Sequence, residues 1–136
     1  MTREEITETL QLILERYPEV QLAILYGSVA RDAHRRDSDV DLAIAADSRA
    51  TLREDILLDI SLECSRATAR DVQVRDLARA QGLFLKQVLT TGRIILSRDA
   101  PIYGELIVRM LAFVTDMLPA IRKIRRQGEE YFDARP

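Results

Sequence analysis

Cysteine, histidine and tryptophan are nearly missing from this chain of 136 residues, which has one Cys, one His and no Trp. With Cys64 alone, no internal disulfide can close and a cysteine-built zinc site is excluded. In its helical pattern Cys64 reads as a small buried hydrophobe rather than a reactive thiol. His34 alone excludes a histidine-rich metal centre. No apolar run is long enough to cross a bilayer, so no membrane partner is expected. Met1 to Leu10 is charged and polar with no signal-peptide core, and a cytoplasmic location is the expectation. An excess of one charge is missing too: 20 Lys and Arg stand against 22 Asp and Glu, a formal net charge of −2. That balance argues against a protein that coats a nucleic-acid backbone, and no direct nucleic-acid partner is expected.

What is present is the composition of a globular domain, 47% apolar and 31% charged, which can build a core without disulfides or structural metal. The length predicts one domain over residues 1–136, with a catalytic core at about 20–96 and a C-terminal helical segment at about 101–132. No internal repeat, low-complexity segment or linker interrupts it. From Thr2 to Tyr17 the residues Ile6, Leu10, Ile13, Leu14 and Tyr17 recur at helical spacing; Thr2 with Glu5 has the form of a capping box, and Pro18 stops the helix. Strands are predicted at Gln21–Tyr26, Asp39–Ala46, Arg70–Arg75 and Arg93–Leu96, and helices at Thr51–Ala67 and Leu77–Thr90, the latter ended by Gly92. Pro101 opens a long last helix, with a kink expected at Pro119. The fold class is therefore α/β, a small mixed β-sheet with helices packed on one face and a long C-terminal helix.

The chemistry concentrates in LYGSVARDAHRRDSDVDLAI, Leu25 to Ile44. Gly27 stands where a strand ends and the chain turns; without a side chain it lets a polyphosphate approach the backbone. Ser28 adds a hydroxyl and a backbone N–H at the start of a short helix, the outline of a phosphate cradle. In the next strand, Val40, Leu42 and Ile44 share one face while Asp39 and Asp41 share the other. Two like charges so placed repel unless a cation sits between them, and oxygen ligands on a rigid strand suit Mg²⁺ with substrate phosphates. Asp71 begins the third strand on the polar side, with Gln73 and Arg75. If the three strands are neighbours, three carboxylates meet beside the Gly-Ser turn; such a cluster can hold two metal ions, and the acid beside an incoming hydroxyl can act as general base.

Gly27-Ser28, ten residues, then Asp39-x-Asp41 resembles the signature of the polymerase-β-like nucleotidyltransferase superfamily. The short chain is similar to its minimal nucleotidyltransferase (MNT) branch and, within that, to the MntA-type antitoxins paired with HEPN-domain toxins. The resemblance implies a single-domain minimal nucleotidyltransferase fold. It also implies that Gly27 and Ser28 hold the triphosphate of ATP and that Asp39 and Asp41 coordinate Mg²⁺. Asp71 would complete the metal site and help deprotonate the acceptor. Such antitoxins transfer AMP from ATP to a tyrosine hydroxyl near the toxin's RNase site and so silence it, which makes a HEPN-domain toxin the implied partner. One departure is Asp32, where many relatives carry Gly after the arginine matching Arg31. Two other readings stand beside this one. The first is a small-molecule nucleotidyltransferase of the aminoglycoside-modifying kind, for which little chain remains to build a sugar pocket. The second is a catalytically idle antitoxin that acts by contact.

Arg31, Arg35 and Arg36 lie between the Gly-Ser turn and the aspartates; they either meet the nucleotide's phosphates or pair loosely with Asp32 and Asp37 in a solvated loop. His34 in that loop is expected to be exposed, and Tyr26 to be core. The last helix carries Leu106, Met110, Leu111, Phe113, Val114, Met117, Leu118, Ile121 and Ile124, a stripe wider than one buried face requires. It marks either a partner surface or a helix wrapped by its own domain. The basic run Arg122, Lys123, Arg125, Arg126 complements the helix C-terminus, and Glu129, Glu130 and Asp133 follow it.

Overall fold

The computed structural model describes residues 1–47, 50–98 and 101–133, the last five of these as helical backbone only. The side chains of Glu129, Glu130 and Asp133 thus lie outside the described residues. Four strands form one mixed sheet in the order β3-β2-β1-β4, with β1 at Leu22–Tyr26, β2 at Val40–Ala45, β3 at Val72–Asp76 and β4 at Arg93–Ser97. β1 pairs antiparallel with both β2 and β4, while β2 and β3 run parallel. Parallel neighbours need a crossover; here it is the helix α3, Glu54–Thr68. The helix α1, Arg3–Leu14, is capped by Thr2, whose Oγ1 accepts from the Glu5 N–H at 3.2 Å.

The helices cover both faces of the sheet, where one face was expected. On one side α1 and α3 bury Ile6, Leu10, Leu14, Ile60 and Cys64 against Ala23, Leu25, Val40, Leu42 and Ile44. On the other, α4 (Gly82–Thr91) and the start of α5 (Ile102–Asp133) bury Leu85, Val88, Ile102 and Leu106 against Leu22, Ile24, Tyr26, Ala43 and Ala45. The reason lies in β1: Leu-Ala-Ile-Leu-Tyr is apolar at every position and buried at every position, the pattern of a strand covered on both sides. Burial drives the Cys64 thiol up to about 12, so it is inert at neutral pH.

The helix expected over Leu77–Thr90 is divided into a 3₁₀ turn, Leu77–Arg79, and α4. Asp76 Oδ1 accepts from the Ala78 N–H at 2.9 Å, capping the short turn, and Gly82 opens α4 with φ +67°. Arg109 of α5 donates to the carbonyls of Leu77, Ala78 and Ala80 at 3.3, 3.2 and 3.0 Å, fixing that turn against α5. Arg98, just past β4, does the same for the end of α1, donating to Leu14, Glu15, Tyr17 and Val20 carbonyls at 2.8–3.3 Å. Leu14 and Glu15 carry carbonyls of the kind a helix end leaves without intrahelical partners, while Tyr17 and Val20 lie in the connection to β1.

α5 runs through Pro119 as one element. Among the described residues of α5 only those of its first turns are buried: Leu111, Leu118, Ile121 and Ile124 are 53, 42, 42 and 68% exposed, so the domain does not wrap the apolar stripe.

Gly92 ends α4 by close approach rather than by a left-handed turn: a Cβ there would collide with the Val88 carbonyl oxygen and lie 2.5 Å from Ile24 Cγ2. Gly92→Ala is therefore expected to destabilise the fold by about 1–3 kcal/mol, read as a lower urea midpoint at unchanged slope.

Candidate active site

The site forms where β1 ends. Tyr26 closes the strand, and Gly27 turns the chain with φ +77°, a left-handed conformation that favours glycine. It enters a helix of one turn, α2, Gly27–Ala30. Tyr26 is the register partner of Asp41 across the antiparallel pair, so the turn and the carboxylate meet directly. A Cβ on Gly27 would overlap Asp41 Oδ2. The Gly-Ser turn and Asp41, read from sequence as parts of one site, are thus in contact. Ser28 is half-buried beside them.

Asp39 and Asp41 stand on the face of the sheet opposite to Val40 and Leu42, as alternation requires. Asp39 is exposed and Asp41 half-buried. Burial first, and then the Asp39 charge, push the Asp41 carboxyl above its usual range, against a smaller opposing pull from Arg75. The side chain is thus destabilised in its ionised form by its setting, and a cation relieves that. Two carboxylates in this relation fit a divalent ion that takes its remaining ligands from water and phosphate oxygens.

Asp71 is not brought into a cluster with the pair. The parallel register pairs Val40 with Val72 and Asp41 with Gln73, so the position beside Asp41 on β3 belongs to an amide. Gln73 Nε2 donates to Asp39 Oδ2 at 3.4 Å. Asp71 precedes β3; its backbone carbonyl accepts from the Val40 N–H at 2.9 Å while its side chain is exposed. Among the described residues no three His, Cys, Asp or Glu side chains come together as a metal-holding group. The strands are neighbours as expected, but the register delivers Gln73 where a third carboxylate was sought.

Two residues beside the pair were not singled out from sequence. Arg75, on the same face as Gln73, carries its guanidinium 5.1 Å over the Phe84 ring. Phe84, in α4, meets Tyr26 edge-on at 5.7 Å. The parity of β3 gave the face of Arg75, whereas nothing local ties it to a phenylalanine nine positions on. Burial, with the Asp41 charge adding to it, raises the Tyr26 phenol above its usual range; the residue is core, as expected.

The loop between turn and aspartates is braced. Arg70 Nη1 donates to the carbonyls of Arg35 and Ser38 at 2.8 and 3.0 Å, and Ser38 Oγ accepts from the Arg35 N–H at 2.7 Å. His34 is half-buried, with Nε2 3.2 Å from the Met1 carbonyl, which ties the loop to the chain start. Arg31, Arg35 and Arg36 are exposed, and among the described residues none pairs with Asp32 or Asp37. Asp32 adopts φ +56°, the left-handed conformation that a glycine would take there and that aspartate tolerates better than most residues.

The sequence profile of the family described as polymerase beta nucleotidyltransferase matches residues 8–101. The protein adenylyltransferase MntA of Shewanella oneidensis is 30% identical over 84 residues, or 62% of this chain and 59% of that protein's own length. Three solved structures share the fold. A toxin–antitoxin complex with AMP-PNP aligns over 94% of this chain and 98% of its own at TM-score 0.66 and 22% identity. A mutant MntA–HpeT toxin–antitoxin pair aligns over 95% and 99% at TM-score 0.70 and 20% identity. A tri-AMPylated Shewanella oneidensis HEPN toxin in complex with MNT antitoxin aligns over 91% and 99% at TM-score 0.66 and 20% identity.

Gly27→Ala is expected to disable the site more than the fold: the new Cβ displaces the Asp41 carboxylate, while left-handed strain alone costs about 1–2 kcal/mol. The check is a folded far-UV spectrum with nucleotide transfer lost. For Asp41→Asn the expectation is a higher melting temperature of the metal-free chain at neutral pH. Because the native Asp41 carboxyl lies above its unfolded value of 3.8, the penalty applies above the native value, and the gain fades as pH falls toward the unfolded one. An unchanged or lower melting temperature at pH 7 would remove the repulsion argument.

Proposed function

The chain belongs to the polymerase β nucleotidyltransferase family, and from that premise we propose that it is an antitoxin adenylyltransferase that moves AMP from MgATP to a tyrosine hydroxyl of a HEPN-domain RNase toxin. The carrying observation is the contact between the Gly27 turn and Asp41, with Asp39 beside it. It puts a backbone open to phosphate against a carboxylate pair suited to a divalent ion. The adenylyltransferase MntA supports the choice of AMP, and the AMPylated HEPN toxin with its MNT antitoxin supports the choice of acceptor.

In this reading Gly27 and Ser28 hold the triphosphate, with the backbone N–H groups at the start of α2 facing it. Asp39 and Asp41 would hold Mg²⁺, which when bound screens the charge between phosphate oxygens and the incoming nucleophile. The tyrosine oxygen forms a bond to the α-phosphorus as the bridge to the β-phosphate breaks, and pyrophosphate leaves. The phenolic proton, bound with a pKa near 10 in free tyrosine, passes to the exposed Asp39 carboxylate. Gln73 donates to Asp39 Oδ2 and so steadies that side chain without adding charge.

A second reading, neutralisation by contact alone, is favoured by one observation, the amide at Gln73 in place of a third carboxylate. One experiment separates the two. Intact mass of the cognate HEPN-domain toxin is measured after incubation with this chain, ATP and Mg²⁺. One or more added AMP units are expected, with the rate reduced roughly 100-fold or more by Asp39→Asn. A toxin neutralised without mass gain, and equally well by Asp39→Asn, would establish contact instead.

A further inference from the structure

The face of the sheet that carries the aspartates shows an electrostatic arrangement that two carboxylates and a turn do not account for. Asp41 is flanked in register by Tyr26 on one side and Gln73 on the other, and Arg75 follows Gln73 by one same-face step, level with Ala43. The Arg75 guanidinium is seated on Phe84 at 5.1 Å, and Phe84 is braced edge-on by Tyr26 at 5.7 Å. Its charge acts on both Asp41 and Tyr26. Among the described residues no carboxylate forms an ion pair with it. A guanidinium lying over a ring keeps N–H groups available, and their fork matches phosphate oxygens.

The ligand inventory points the same way. Two carboxylates with substrate phosphates complete the shell of one hard divalent ion. A second such ion would need a further anionic ligand, and the register puts neutral Gln73 at that place, already donating to Asp39. A nucleoside triphosphate nevertheless brings more negative charge than one divalent ion neutralises. We infer that this site takes a single divalent cation and that Arg75, held over Phe84 beside Asp41, meets the β- and γ-phosphates as the second positive charge. The alternative is that Arg75 covers Phe84 with its stem and takes no part in binding.

This inference rests on the nucleotidyltransferase reading, and the experiment keeps the two apart. Mn²⁺ bound to the full chain is counted by electron paramagnetic resonance with saturating AMP-PNP, and AMP-PNP affinity is measured for the chain and for Arg75→Met and Arg75→Lys. One Mn²⁺ per chain is expected. Arg75→Met, which keeps an apolar stem on Phe84, should weaken AMP-PNP by about tenfold or more. It should change AMP, which lacks the outer phosphates, by less than about twofold, and Arg75→Lys should recover part of the loss. Two Mn²⁺ per chain, or an AMP-PNP affinity unmoved by Arg75→Met, would overturn this inference and leave the nucleotidyltransferase reading standing. A chain that binds neither Mn²⁺ nor AMP-PNP would overturn both.

Discussion

The close approach of the Gly27 backbone to the Asp41 carboxylate sets the terms for everything around it. The approach exists because β1 and β2 pair with Tyr26 opposite Asp41, and because glycine alone leaves room at a turn with φ +77°. It forces a carboxylate out of bulk water and next to a second one, which is unfavourable in the free protein. The surrounding residues answer that strain in different ways. Gln73 donates to Asp39, Arg75 opposes the charge of Asp41, and the remaining deficit is what a bound cation would fill. A core on both faces of β1 tolerates such a local penalty, since that strand is buried from end to end.

The strength of the sequence signal varied along the chain with the range of the interactions behind it. Alternation in Asp-Val-Asp-Leu-Ala-Ile gave the two faces of β2, because a period of two is a purely local property. The helix α1, with its Thr2 cap, was legible for the same reason. The division of Leu77–Thr90 was not, because it depends on Asp76 capping the next turn and on Arg109, about thirty positions later, donating to its carbonyls. Coverage of both faces was present in the five apolar residues of β1, although helices on one face were expected.

Within the site, the turn and the aspartate pair were readable because both lie within one short stretch. The third position was not, because a parallel register is fixed by the crossover helix and by the pairing of Val40 with Val72, and neither strand's own pattern states it. Parity alone left Asp71, Gln73 and Arg75 as equals; the register chose Gln73. The Arg75–Phe84 contact joins β3 to α4 across the 3₁₀ turn, and no spacing rule reports such a pair.

The clasp made by Arg98 has a consequence for how the protein is born. Residues 27 to 41, which hold the turn and the aspartates, leave the ribosome early, while β4 and Arg98 emerge more than fifty positions later. Until they do, β1 has an open edge and the end of α1 has carbonyls facing water. A nascent chain therefore holds the Gly27 turn and both aspartates in sequence long before β4, the second neighbour of β1, exists. A fragment that stops short of β4 keeps the site residues while leaving β1 without its second neighbour.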